Sequence, residues 1–285
     1  MTSFIKHISD NYKSINVIVE RDVAEEIEDE ISESTTLYTG SNGQIQEKTD
    51  LLVTLGGDGT ILTAASLFAS GDVPPVLSFS MGTLGFLMPF DFAEAETAFH
   101  DLYTSQSNVL KRARLECEAV YQNEMKREKT HAMNDLTIHR GHEPHLTNVD
   151  IAVDGQFVTT AIADGITVST PTGSTAYSLS SGGSIVHPAV PCILITPICP
   201  RSLSFRPLIV PAGATLTLSV SEKSRGRAAD LSVDGQNKGP LKPGDTITVR
   251  TEQGDSKGIW CVARSGSDWV HQLNGLLGFN SQFGK

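Results

Sequence analysis

A chain of 285 residues, 39% of them hydrophobic and 19% charged, is long enough for two domains with separate cores, and no apolar run in it approaches the roughly 20 residues that span a bilayer. The formal net charge of −11 argues against nucleic-acid binding, which rests on clustered Lys and Arg, so a phosphate site has to be assembled locally from main-chain N–H groups, a metal and a few basic side chains. Cys117, Cys192, Cys199 and Cys261 show no C-x-x-C spacing; they read as free, mostly buried thiols of a reducing compartment, and a zinc site is not expected. The N-terminal MTSFIKHISDNYKS lacks the apolar core of a secretory signal and the Arg-rich character of a complete transit peptide, which fits a cytosolic protein or a mature or truncated form.

In chain order, residues 14–20 (SINVIVE) predict a strand and residues 21–31 a helix with Val23, Ile27 and Ile31 on its apolar stripe. A polar stretch ending in TGSNG follows. Leu51, Leu52, Val53 and Leu55 read as a strand buried on both faces; it runs into Gly56, Gly57, Asp58 and Gly59 and then into a helix carrying Ile61, Leu62, Ala65 and Phe68. Residues 76–80 are a third strand that enters a second glycine-punctuated turn, MGTLGFL, at 81–87, and residues 92–103 read as a helix. Strands alternating with helices imply an α/β domain with a mostly parallel sheet, whose ligands bind beyond the carboxyl ends of the strands, where both glycine loops fall.

From residue 109 the pattern changes to extended runs (LTNVDIAV, QFVTTAI, GITVST, TLTLSV, DTITV) separated by turns at Asp154-Gly155, Asp234-Gly235 and Pro243-Gly244. This half predicts a β-rich, sandwich-like domain, and residues 268–279 return to a helical pattern through Trp269, Leu273, Leu276 and Leu277. The expected divisions are an α/β domain over 1–108, a β-rich domain over 109–267, and a terminal helical segment over 268–285 that packs back on the first domain, with the two domains abutting at a shared cleft.

Three segments concentrate chemistry. A strand feeding a glycine-rich loop and a helix presents unpaired N–H groups at a positive helix end, which favours phosphate. Asp58 is the odd residue there, since a carboxylate repels a phosphate unless it holds a metal, accepts a hydroxyl proton or orients a sugar; a plain turn with an N-capping Asp is equally open on this pattern alone. In residues 163–183 (ADGITVSTPTGSTAYSLSSGG), Ser174 or Thr175 can cap a helix through Tyr177 and Leu179, with the Tyr177 ring available to a purine; a Ser/Thr-rich loop capping an ordinary helix is the simpler alternative. Asn134 and Asp135 stand side by side at an expected strand edge and can bind the two hydroxyls of a ribose, or form an ordinary Asx turn.

Taken together, GGDGT at 56–60, the Asn134-Asp135 pair, DGITVSTPTGSTAYSLSSGG from Asp164 and ITPICPRSLSFRP from Ile195 resemble, in that order, the NAD kinase family. The resemblance runs from SINVIVERDVAEEI to the terminal LLGFNSQF. GGDG alone is shared with diacylglycerol, sphingosine and 6-phosphofructo-kinases, whereas TPTGSTAY with the other blocks is specific. Within the family, Arg201, the PHLTN segment and the LLGFNS ending are most similar to the fungal mitochondrial NADH kinase branch.

The resemblance implies transfer of the ATP γ-phosphoryl group, with Mg²⁺, to the 2′-hydroxyl of the adenosine ribose of NADH or NAD. By matching position, Asp58 would be the catalytic carboxylate, with Gly57 and Gly59 of the same loop at the nucleotide. Asn134 and Asp135 would hold the dinucleotide, Asp164 would contact it from the second domain or a neighbouring subunit, and Thr175, Ala176, Tyr177 and Ser180 would wall the adenosine side. His145 and Gln236 align with further ligand positions. It also implies a homo-oligomer associating through the β-rich domains, in the mitochondrial matrix or else the cytoplasm. Neither a Walker loop nor a G-x-G-x-x-G fingerprint is present. A kinase of a lipid or sugar phosphate, and a non-catalytic dinucleotide sensor, are the rival readings; TPTGSTAY counts against the first and Asp58 against the second.

Overall fold

The chain starts with a helix, α1 (Thr2–Asn11), whose buried residues Phe4, Ile5 and Ile8 recur at helical spacing. The computed structural model describes residues 1–31, 35–68, 71–82, 85–226, 228–254, 257–265 and 268–279. By their contacts these divide into two units, residues 1–110 with 260–285, and residues 111–259.

In the first unit, β1 (Val17–Ile18) precedes α2 (Arg21–Ile27), and β2 (Leu37–Tyr38) precedes α3 (Asn42–Lys48). Next come β3 (Leu52–Gly56), α4 (Asp58–Ser66), β4 (Val76–Ser80), β5 (Phe90–Asp91), α5 (Ala95–Tyr103) and β6 (Asn108–Arg112). The predicted alternation of strand and helix is present: β3, β5 and the late strand β19 (Ile259–Ala263) each pair parallel with β4. The core of this unit is Phe4, Ile8, Leu77, Phe79, Phe90, Phe99 and Val262, with Phe4 edge-on to Phe79, Phe92 and Phe99. The last helix, α7 (Asp268–Leu277), covers most of the predicted terminal helix and falls in the first unit; residues 280–285, with the second half of LLGFNSQF, lie outside the described residues.

Three local expectations change. The strand over 14–20 shortens to two residues, Val17 and Ile18, paired in register with Leu37 and Tyr38, with the Val19 N–H donating to Tyr38 O at 2.9 Å. The helix over 21–31 ends as α at Ile27 and continues as a 3₁₀ turn through Glu30. The strand after residue 51 is half-buried rather than buried on both faces, and its one fully buried residue is Thr54, whose hydroxyl donates to Ser78 Oγ at 3.0 Å. The polar stretch before it holds α3, started by a capping pair in which the Ser41 N–H donates to Gln44 Oε1 at 2.9 Å.

The second unit is all strand apart from short turns: β7 (Leu115–Tyr121), β8 (Lys126–Ala132), β9 (Asp135–His139), β10 (Thr147–Val153), β11 (Gln156–Ala163), β12 (Gly165–Ser169), α6 (Tyr177–Ser180), β13 (Cys192–Ile198), β14 (Leu208–Pro211), β15 (Leu216–Val220), β16 (Ala229–Val233), β17 (Gln236–Leu241) and β18 (Thr246–Thr251). The strands form two six-stranded sheets, β11-β10-β15-β18-β7-β8 and β14-β13-β12-β9-β16-β17, with antiparallel pairing throughout among the described residues. One apolar cluster joins both, with Leu115, Ile151, Leu218 and Ile247 from the first and Leu136, Ile138, Ile166, Val168, Ile193 and Leu231 from the second. That is the predicted β-rich, sandwich-like half. The hairpin at Asp154-Gly155 and the one at Asp234-Gly235 have both turn residues at positive φ, as two-residue hairpin turns require. None of the four cysteines is in a disulfide, and Cys117, Cys192 and Cys261 are buried while Cys199 is exposed. No helix among the described residues is long and apolar enough to cross a membrane.

Candidate functional site

In the first unit the two glycine loops lie side by side because β3 and β4 run parallel, with Gly56 opposite Ser80 in register. The Met81 N–H donates to Gly56 O at 3.3 Å, tying the loops together. Asp58 opens α4, but its carboxylate does not cap that helix. Oδ2 accepts the Phe86 N–H and Oδ1 the Leu87 N–H, each at 3.1 Å. Gly85 has to lack a side chain here, since a Cβ on it would stand 2.1 Å from Asp58 Oδ1. The carboxylate is therefore held edge-on by two main-chain donors of the second loop and keeps lone pairs for a further donor. Gly57 ends the first loop and Gly59 lies in the first turn of α4; both are exposed, and the Gly57 N–H donates to Thr60 Oγ1 at 3.3 Å. Thr83 and Leu84 lie outside the described residues.

In the second unit Asn134 sits in the bend between β8 and β9, and Asp135 is the first residue of β9. β9 is a central strand flanked by β12 and β16, so the pair stands at the end of an interior strand and not on a sheet edge. Both residues are buried. Asn134 Oδ1 has no hydrogen-bond partner among the described residues, and neither has the buried Oγ of Ser169, which faces Asp135 in register. Buried polar atoms are rarely left so, and two of them at one strand end mark a place that a ligand hydroxyl can complete. Burial, then the neighbouring Asp234 charge, push Asp135 up to about 7, against a weak pull the other way from the Thr137 hydroxyl.

The segment at 170–175 folds onto Asn134. The Thr170 N–H donates to Asn134 O at 2.9 Å, Thr170 Oγ1 donates to Met133 O at 2.6 Å, and a Cβ on Gly173 would come within 2.1 Å of Asn134 O. The expected cap is different. Ser174 Oγ exchanges hydrogen bonds with Val186, accepting its N–H at 2.9 Å and donating to its carbonyl at 3.2 Å, and Thr175 Oγ1 donates to Thr172 O at 3.1 Å. Residues Thr172–Thr175 form a 3₁₀ turn and α6 has four residues, so neither hydroxyl caps a long helix. Tyr177 and Ser180 are exposed, and Thr175 and Ala176 half-buried. The Tyr177 hydroxyl is raised by burial and then by the charges of Cys199, Asp135 and Asp164.

Asp164 is already engaged: its Oδ1 accepts from Arg140 Nε at 2.6 Å, while Arg140 Nη1 donates to Glu143 O at 2.7 Å. His145 is exposed on the loop before β10, and Gln236, at the start of β17, accepts from Lys238 Nζ at 2.9 Å. The structure thus brings Asn134 and Asp135 together with the 170–175 segment, places Asp164 at the opposite end of the β9–β12 pairing, beside His139 and Arg140, and leaves His145 on an outer loop. Sequence reasoning missed Arg140, Asp234 and Arg112, whose Nη1 donates to Thr172 Oγ1 at 3.3 Å. No local pattern marks any of them, because each acts on a segment distant in the chain. Among the described residues no group of three or more His, Cys, Asp or Glu could hold a metal ion.

Two family descriptions match the chain, "ATP-NAD kinase N-terminal domain" over residues 3–107 and "ATP-NAD kinase C-terminal domain" over residues 133–259. The mitochondrial NADH kinase POS5 of Saccharomyces cerevisiae is 47% identical, across 99% of this chain and 77% of its own. The mitochondrial NADH kinase pos5 of Schizosaccharomyces pombe is 45% identical, across 99% and 71%. A crystal structure of yeast NADH kinase complexed with NADH superposes with a TM-score of 0.94 at 50% identity, across 99% of this chain and 83% of that one.

Proposed function

We propose, because this chain belongs to the ATP-NAD kinase family, that it catalyses a phosphoryl transfer. The protein is an NAD(H) kinase: it transfers the γ-phosphoryl group of ATP to the 2′-hydroxyl of the adenosine ribose of NADH or NAD, giving NADPH or NADP. It acts in the mitochondrion, the compartment for which both fungal relatives are named, and supplies NADPH there. ATP is used as its Mg²⁺ complex, the metal travelling on the substrate phosphates.

Asp58 is the catalytic carboxylate. A loose phosphoryl-transfer transition state needs an aligned acceptor and neutralised charge more than covalent help. A carboxylate fixed by the Phe86 and Leu87 N–H groups can orient the ribose hydroxyl and take its proton without first reorganising. Gly57 and Gly59 leave the loop main chain open to phosphate oxygens. Asn134 and Asp135 bind the ribose hydroxyls; the orphaned Oδ1 of Asn134 is the observation that carries this assignment. Thr175, Ala176, Tyr177 and Ser180 form the adenosine-side wall, Asp164 reaches the dinucleotide once released from or shared with Arg140, and His145 and Gln236 supply outer contacts.

The working form is a homo-oligomer built through the β-rich units. Supporting this, the edge strand β11 exposes Phe157 and Val158, and the edge strand β14 exposes Ile209, next to the exposed Leu203 of the preceding loop. Light scattering of the purified protein tests it; a monomer at micromolar concentration would contradict it.

Incubation with ATP, Mg²⁺ and NADH or NAD, followed by an NADP-specific dehydrogenase to detect the product, tests the activity. NADPH or NADP is expected in proportion to ATP consumed; dinucleotide binding without product would contradict it.

A further inference from the structure

The turn between β16 and β17 carries a carboxylate to which the motifs assign no part. Asp234 stands at φ +47° before Gly235 at +76°, so the tight turn brings its side chain back over the start of β9. Oδ2 accepts the Met133 N–H at 2.8 Å, and Oδ1 accepts the Asn134 N–H at 2.8 Å and the Asp135 N–H at 3.1 Å. In return the Asp234 N–H donates to Asp135 O at 2.9 Å. Three successive N–H groups aimed at one point cannot all be satisfied by a neighbouring strand, whose partners alternate in direction; a carboxylate can collect them. Thr170 holds the carbonyls of Met133 and Asn134 from the other side, so this segment is fixed on both faces.

We propose that Asp234 is a positioning residue for the dinucleotide, locking the main chain of Met133, Asn134 and Asp135 so that the Asn134 and Asp135 side chains face the ribose; this rests on the reading of those two as ribose ligands. A second consequence follows from its charge. Asp234 and Asp135 are the two acids at this strand end: Thr137 Oγ1 donates to Asp135 Oδ1 at 3.4 Å, Lys238 on β17 and Cys117 on β7 interact electrostatically with Asp234, and burial raises Asp234 as well as Asp135. Burial followed by the Asp234 charge keeps Asp135 partly protonated near neutrality. It can then donate to one hydroxyl while accepting from another.

Calorimetric titration of NADH into the full-length protein, across pH 5.5 to 8.5, separates these roles from simple destabilisation. Asp234→Asn sets an amide N–H₂ against main-chain donors and removes the charge. It is expected to weaken NADH binding by ~10-fold or more, and to lower the pH midpoint of binding by about one unit, with the circular dichroism of the fold retained. If Asn at this position prevents folding, Asp234→Glu keeps the charge but displaces it; affinity should fall with the midpoint unmoved, and wild-type affinity would overturn the proposal. Wild-type affinity and midpoint in Asp234→Asn, with binding lost in Asp135→Ala, would overturn the role of Asp234 alone. Wild-type binding by both Asn134→Ala and Asp135→Ala would instead overturn the ribose-ligand reading.

Discussion

Gly85 and Asp58 are in such close approach that a Cβ on the glycine would lie 2.1 Å from Oδ1 of the aspartate. The carboxylate and the second glycine loop are thus one unit, with Gly85 giving room for Asp58 to accept the Phe86 and Leu87 N–H groups. Gly85→Ala must push Asp58 aside. A displacement of about 1 Å at a positioned group costs on the order of 10²-fold in turnover, and that loss in kcat is expected with NADH affinity nearly unchanged. Steady-state kinetics beside a binding titration check it; an unaltered kcat would show that Asp58 need not be held.

Gly173 stands in the same relation to Asn134, its Cβ position lying 2.1 Å from the Asn134 carbonyl oxygen. Backbone cannot yield as a flexible side chain does, so Gly173→Ala separates the 170–175 segment from the Asn134 bend. The expected outcome is a rise in the KM for NADH of about tenfold or more, with a lower melting temperature. Wild-type KM in a folded protein would contradict the docking of this segment as a binding determinant.

Asp135 provides a pH signature of the unliganded fold. Its folded value of about 7 exceeds the ordinary 3.8, so the fold favours the neutral form. The stability this contributes is complete below about pH 4 and is lost as pH rises through 7. Asp135→Asn is neutral throughout and escapes that loss. Relative to wild type, the variant should gain stability between pH 4 and 8, by on the order of a few kcal/mol at the upper end. Denaturant unfolding at several pH values measures the difference; a pH-independent offset would contradict it.

A buried ion pair closes the Leu115–Thr251 end of the β7–β18 pairing. Arg114 Nε and Nη2 donate to Glu252 at 2.7 and 2.8 Å, both side chains are almost fully buried, and His131 Nε2 lies 3.4 Å from Glu252 Oε1. Burial acts to raise Glu252, but the Arg114 hydrogen bonds and charge, helped by His131, hold its carboxyl below the ordinary range. Glu252→Ala leaves the Arg114 charge without this partner and should destabilise the fold by about 3–5 kcal/mol in denaturant titration. A loss below about 1 kcal/mol would show that the arginine is otherwise compensated.

The sequence pattern carried the order of elements and the loop chemistry further than the contacts that make the site work. The apolar run into Gly56 and the alternating strands after residue 109 are local periodicities, and both become the predicted elements. Ser41 with Gln44 is a local capping signal too, but the sequence reading takes this segment only as a polar stretch and misses the helix it starts, α3. Asp58 was legible as an unusual carboxylate, but its donors lie 28 and 29 residues on. Asp234 meets its three donors about a hundred residues away, through a hairpin turn that by itself announces only a reversal of the chain. Ser174 read as a cap because a hydroxyl before a helical run usually is one; here the tertiary partner Val186 takes it.

Turnover of ATP with NADH by Asp58→Asn, measured on a preparation whose fold and NADH affinity are established alongside, tests the central claim most directly. Retained NADH binding with a loss of turnover on the order of 10² to 10⁴ is predicted for a carboxylate that orients and deprotonates the ribose hydroxyl. Near-normal turnover by the folded variant would contradict it.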